Sequence, residues 1–195
     1  MSQARRKESS GKRGISACAV CDGFFFKDEV VAIIGGGDSA MEETIYMSNI
    51  ASKVYLIHRR NEFRARRDML QRVKSLRNVE IITPANLVSA HGTEFLEYIK
   101  LKNAQTDEKF ELRVSGLFFA IGHDPNTKFL ESDVKVNEMG YVITNTRMHT
   151  SVKGLFACGD VQDFKYKQAV TAAASGCIAG IECSKYIKNV QSNIE

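Results

Sequence analysis

The chain has 195 residues, 44% hydrophobic and 26% charged, with a net charge of +4. That length expects one large or two small domains, and that balance excludes a disordered or low-complexity chain. No apolar run approaches the ~18 residues a membrane-spanning helix needs. The arginines gather locally at Arg59, Arg60, Arg64, Arg66 and Arg67, which favours an anion site over a nucleic-acid face.

Residues 1–13 are rich in Arg, Lys and Ser and contain no apolar core. A secretory signal is excluded on that ground; the segment reads as a disordered basic tail, with a transit peptide as the lesser alternative. The five cysteines comprise one tight pair, Cys18 and Cys21, and three scattered residues, Cys158, Cys177 and Cys183. This is no secreted disulfide framework. It fits a reducing, cytoplasmic setting with one working pair.

Residues 30–34, Val-Val-Ala-Ile-Ile, form a short apolar run ending in glycines, the pattern of a fully buried parallel strand. A helix is expected over 39–49, with Glu42 and Glu43 in its first turn complementing the helix dipole. A strand at 54–57, a helix at 64–76 and a strand at 80–83, stopped by Pro84, complete a βαβαβ run. Residues 87–91, 95–101 and 110–114 then read as strands without intervening helices, an antiparallel meander before a further buried strand at 117–121. Gly122-His-Asp-Pro125 is a breaker cluster and the expected domain boundary. Short strands are expected at 134–136, 141–144 and 155–157, and an alanine-rich helix at 167–187. These last ~70 residues bury little core by themselves.

Three motifs carry chemistry. Gly35-x-Gly37-x-x-Ala40 follows a strand and opens a helix, the context of a dinucleotide fingerprint. Gly35 permits the tight turn, Gly37 lets the backbone approach a pyrophosphate, and Ala40 keeps helix and strand close. At the next strand end an NAD site would carry Asp or Glu. This chain carries His58-Arg59-Arg60, with Arg64 nearby, and a guanidinium fork suits the 2′-phosphate of NADPH. Cys18-x-x-Cys21 reads as a redox pair, half a zinc site or an accident of spacing. A structural zinc needs four ligands, whereas His58, His91, His123 and His149 stand alone in the sequence, which favours the redox pair. Asp22, beside it, could shuttle the proton that thiol–disulfide exchange requires.

The stretch 14–25 around Cys18-Ala-Val-Cys-Asp-Gly, the GGGDSAMEE loop, LIHRRNEFRA, LFFAIGHDPNT, GLFACGDV and YKQAVTAAASGC together resemble the low-molecular-weight thioredoxin reductases. The likeness runs from about Gly14 to Ile187. It implies an α/β fold: a doubly wound parallel-sheet NADPH domain with an antiparallel meander and the redox CxxC, residues 14–122, followed by 123–195 as the C-terminal part of an FAD-binding Rossmann-like domain. It implies Cys18 and Cys21 as the redox-active disulfide, Cys21 nearer the flavin and Cys18 exchanging with substrate, and Asp22 as proton donor and acceptor. Gly35, Gly37, Asp38, Ser39, Ala40, His58, Arg59, Arg60, Arg64, Ile121 and Gly122 would serve NADPH, and Gly159, Asp160, Gln168 and Ala169 the flavin.

Thioredoxin is the implied partner, a homodimer the implied assembly, and neither nucleic acid nor membrane is expected. Two positions depart from the family pattern: Lys167 stands for an arginine and Asn61 for an aspartate. The family's flavin domain comes in two parts, and the first part, with its own glycine turn, has no counterpart in 1–13. The expectation is therefore that the chain alone binds NADPH but holds FAD weakly or not at all. A catalytically incompetent NADPH-binding remnant, or one subunit of a split flavoprotein, is the alternative.

Overall fold

The computed structural model describes residues 14–130 and 133–192; the expected basic tail lies outside them. The described residues fall into two compact units, one ending at Gly122 and one beginning at His123.

The first unit opens with β1 (Ile15–Ser16), a one-turn helix α1 (Ala19–Asp22) and a 3-10 turn (Gly23–Phe26). There follow β2 (Val30–Ile34), α2 (Asp38–Ser48), β3 (Lys53–Ile57), α3 (Arg67–Lys74) and β4 (Val79–Ile82). The meander β5 (Ala85–His91), β6 (Tyr98–Asn103) and β7 (Lys109–Arg113) comes next, and β8 (Gly116–Phe119) closes the unit. Five strands form a sheet in the order β1-β8-β2-β3-β4, with every neighbouring pair parallel. The meander is a separate antiparallel sheet with a register shift between Leu87 and Ser89.

Alternation along the parallel strands divides the core. Val31, Ile33, Val54, Leu56 and Phe118 pack with Ala40, Met41, Met47 and Val73 of α2 and α3. Ala32, Ile57 and Leu117 point the other way and pack with Ile99, Leu101 and Val114 from the meander and the segment after it. Both faces of the central strands are thus covered, which is why these runs are uniformly apolar. Phe26 meets Phe118 edge-on, with ring centroids 5.3 Å apart.

Two elements differ from expectation. α3 begins at Arg67 rather than at Arg64. The N–H groups of Arg64 and Ala65 donate instead to the Gly36 carbonyl, and the N–H of Arg66 donates to Asp38 Oδ1, so this stretch is held as a loop. β1 carried no sequence signal, since two residues are too few for any periodicity.

In the second unit the three expected short strands do not form. Only single bridges occur among the described residues, Val136 with Val142 and His149 with Phe156. The physical cause lies in the asparagines between them. Asn137 Oδ1 accepts the N–H groups of Met139 and Tyr141, and Asn145 Oδ1 accepts those of Arg147 and His149, so side chains take amides that a ladder would need. A 3-10 turn (Gly159–Val161) and the long helix α4 (Ala169–Gln191) complete the unit. α4 starts with a capping box between Gln168 and Thr171. Among the described residues no helix is long and apolar enough to cross a membrane.

Candidate functional site

The register of the parallel sheet sets the site. Ser16 pairs with Phe118, Phe118 with Ile33, and Ile33 with Leu56. Two residues beyond that row, four chain segments leave the sheet at one edge, carrying Cys18, Ala120, Gly35 and His58. The dithiol and the glycine turn, separated in the sequence, therefore share the carboxyl edge of one sheet, where open α/β sheets hold ligands.

A cleft of about 430 Å³ opens there in the first unit. Gly35, Gly37, Ser39, His58, Arg59 and Arg64 line it, as do Ile121 and Gly122. The glycines divide the labour. A Cβ on Gly35 would collide with the Ala120 carbonyl and lie 2.7 Å from Ala40 Cβ; on Gly36 it would enter the His58 ring. On Gly37 it would meet nothing within 4 Å, so this is where the turn faces open space. Gly37 is also the N-cap of α2 and brings no capping side chain. First-turn amides with the helix dipole behind them suit a pyrophosphate.

Three expected nucleotide residues do not line the cleft. Asp38 accepts the Arg66 N–H at 2.8 Å, Ala40 is fully buried beneath the turn, and Arg60 is not among the residues that line the cleft. Arg66 itself pairs with Asp68 at 2.6 Å. His58 is buried, stacks on Phe63 and donates from Nε2 to the Glu62 carbonyl at 3.2 Å. Burial first, and then the charges of Arg59, Arg60 and Arg64, hold its imidazole below its ordinary pKa, against the pull of that carbonyl. Asn86 and Leu87 of β5 also line the cleft and escaped the sequence reading. Their presence follows from the Ala85 N–H, which donates to the His58 carbonyl and brings β5 to this edge.

Cys18 and Cys21 form a disulfide with their Cα atoms 5.3 Å apart. Cys18 is the N-cap of α1, and its Sγ accepts the Cys21 N–H at 3.2 Å. Cys21 is the more exposed of the two. Asp22 is buried and accepts the Ser16 hydroxyl at 2.5 Å, while Ser16 Oγ accepts the Cys18 N–H at 3.1 Å. One serine thus ties the carboxyl group to the redox turn.

In the second unit, Gly159 has φ +71 and donates its N–H to Ser175 Oγ of α4 at 3.0 Å. That bond sets Gly159 and Asp160 beside the first turns of α4, where Ala169 lies, and Asp160 and Ala169 are both exposed. Gln168 donates to the Tyr166 carbonyl. Asp163, which the sequence did not single out, organises the approach to the helix. It accepts the N–H groups of Lys165, Tyr166 and Lys167 and lies 3.1 Å from the Thr171 hydroxyl. Cys158 and Cys183 are half-buried and Cys177 is exposed.

The chain is 48% identical over 194 residues to thioredoxin reductase 1, mitochondrial, of Arabidopsis thaliana, covering 95% of this chain and 52% of that protein. It is 50% identical over 186 residues to thioredoxin reductase 2 of the same plant, covering 92% of this chain and 49% of that one. It thus spans about half the length of these curated relatives. Among solved structures, the thioredoxin reductase from Streptococcus pyogenes superposes with a TM-score of 0.85 at 34% identity, over 91% of this chain and 58% of that one. The profile described as pyridine nucleotide-disulphide oxidoreductase matches residues 3–176. A glycine turn and a CxxC disulfide on one sheet edge suit that description, and the chain belongs to the pyridine nucleotide-disulphide oxidoreductase family.

Proposed function

We propose that this chain carries the NADPH site and the redox disulfide of a thioredoxin-disulfide reductase. In that reaction NADPH supplies a hydride and FAD passes the electron pair to a disulfide. Gly35, Gly37 and Ser39 hold the pyrophosphate region, and Arg59 and Arg64 hold the 2′-phosphate. The chemistry of the donor set fits: open backbone at Gly37, helical amides behind it, and two guanidinium groups on the cleft wall. Asp38 and Ala40 support the turn from beneath rather than touching nucleotide. Asp160 and the α4 start with Gln168 and Ala169 would hold the flavin. An exposed carboxylate beside exposed first-turn positions fits a group that bears hydroxyls and polar ring edges.

Cys18 and Cys21 exchange with the disulfide of thioredoxin, and Asp22 gives and takes the proton. The domain division at about Gly122, a cytoplasmic setting and a homodimer belong to the same reading. The observation that carries it is the shared sheet edge, which brings the exit from β1 with Cys18 level with the exit from β2 with Gly35. The test is direct. The purified chain should bind NADPH at least tenfold more tightly than NADH. Its reduced form should open the disulfide of thioredoxin, and Cys18→Ser should abolish that while Cys177→Ser should not. Equal binding of both nucleotides together with no exchange would overturn the assignment.

A further inference from the structure

α2 packs against α1, and α2 carries Glu43 in its second turn. The Glu43 carboxyl lies close enough to the backbone N–H of Ala19, the residue after Cys18, to feel its dipole. That N–H is the first amide of α1 and has no acceptor inside its own helix. One carboxyl oxygen, Oε2, is buried with no hydrogen-bond partner. A carboxylate with one bare, buried oxygen is costly when ionised and far less so when protonated. Burial accordingly pushes Glu43 up to about 7, against the Ala19 N–H, and the charge of Glu42 adds to the rise.

The other elements packed against α2 bring few competing charges. α1 brings Asp22, which already accepts the Ser16 hydroxyl. α3 brings Arg67, Asp68, Arg72 and Lys74, with Asp68 paired to Arg66. β3 brings Lys53, paired with Glu80 at 2.6 Å, and β2 brings none. Of these groups, Glu42 is the one whose charge moves Glu43.

We propose that Glu43 is a positioning residue for the redox turn that takes up a proton in step with reduction of the Cys18–Cys21 disulfide. The inference rests on the reading of that pair as the working redox centre. A dithiol reductant breaks the Sγ–Sγ bond, gives two electrons to the sulfurs, closes its own disulfide and releases two protons. One proton goes to a cysteine sulfur, handed on by Asp22 in the reading above, and the other to the Glu43 carboxylate, while the second sulfur remains a thiolate. Charge is conserved, because the negative charge lost by the carboxylate reappears on sulfur. Cys18 is the sulfur suited to hold it, since its Sγ already accepts the Cys21 N–H.

The test uses the whole chain reduced with dithiothreitol. The rate of Cys18 alkylation by iodoacetamide is followed against pH. Glu43→Gln keeps an oxygen for the Ala19 N–H and removes the titrating proton. The wild type is expected to show two coupled steps, because thiol and carboxyl share a proton. The Gln variant is expected to show one step, shifted down by about one pH unit and hence several-fold faster near pH 7. As a check that needs no variant, carbon-13 NMR of Glu43 should give a higher pKa in the reduced than in the oxidised chain. Superimposable alkylation profiles, or the same Glu43 pKa in both redox states, would overturn the inference. A pair that dithiothreitol cannot open would overturn the redox reading itself, and the inference with it.

Discussion

The Gly36 carbonyl accepts the Arg64 N–H at 2.8 Å. With Ala65 on the same carbonyl and Asp38 on the Arg66 N–H, this bond locks the arginine loop to the glycine turn. The glycine turn and the arginine loop are therefore tied together through backbone amides. On the reading proposed above, these backbone bonds hold the arginine loop at a set distance from the turn that would carry the pyrophosphate.

The arginines should accordingly be unequal. Arg59→Ala and Arg64→Ala should each weaken NADPH binding by about 10- to 100-fold, the ~1.5–3 kcal/mol of a charged hydrogen bond, while leaving NADH binding unchanged. Arg60→Ala should change either by less than about threefold, since Arg60 does not line the cleft. Fluorescence titration with both nucleotides measures all three.

Gly35→Ala and Gly37→Ala should separate folding from binding. The first forces Cβ against the Ala120 carbonyl and should destabilise by about 1–3 kcal/mol, as overpacking does. The second enters open space and should cost less than about 1 kcal/mol, yet abolish nucleotide binding by filling the side of the turn that faces the ligand. Urea denaturation alongside nucleotide titration distinguishes the two.

Glu43 predicts a pH dependence of stability. Its folded pKa lies above the unfolded value, so the native state binds the extra proton between about pH 4.5 and 7. Stability from this group is full below the unfolded pKa and is lost as pH rises through about 7. Glu43→Gln should therefore be more stable than wild type at pH 8, by about 1–2 kcal/mol once solvent screening is allowed for, and should show no gain at pH 4. Denaturation of both at the two pH values checks it.

His58 runs the opposite way. Its folded pKa is depressed, so its contribution is present above the unfolded value of 6.5 and is lost as pH falls below it. Acidification should also loosen the Gly36 turn against which the ring packs. His58→Asn should flatten the fall in both stability and NADPH affinity between pH 7 and 5.

Much of this was legible in the sequence. The apolar run at Val30–Ile34, ending in glycines, can be little else than a buried parallel strand, and the fingerprint follows it. The meander was readable because its polar and apolar residues alternate, as in Lys109–Arg113. What stayed hidden depended on partners distant in the chain. The start of α3 moved because Gly36, some thirty residues earlier, takes the amides of Arg64 and Ala65. Glu43 looked like a dipole-complementing surface residue, and only the packing of α1 on α2 reveals its inward carboxyl. The strands expected after Val134 failed because asparagine side chains captured their amides, a competition that hydrophobic pattern does not register.

Only two residues lie between Cys18 and Cys21. A ring that small removes little freedom from the unfolded chain, about 2 kcal/mol where a hundred-residue loop would remove nearly 5. The bond therefore serves poorly as a brace. On the redox reading proposed above, opening and closing it would leave the surrounding architecture standing, so the sulfur pair could be spent and restored without the scaffold loosening.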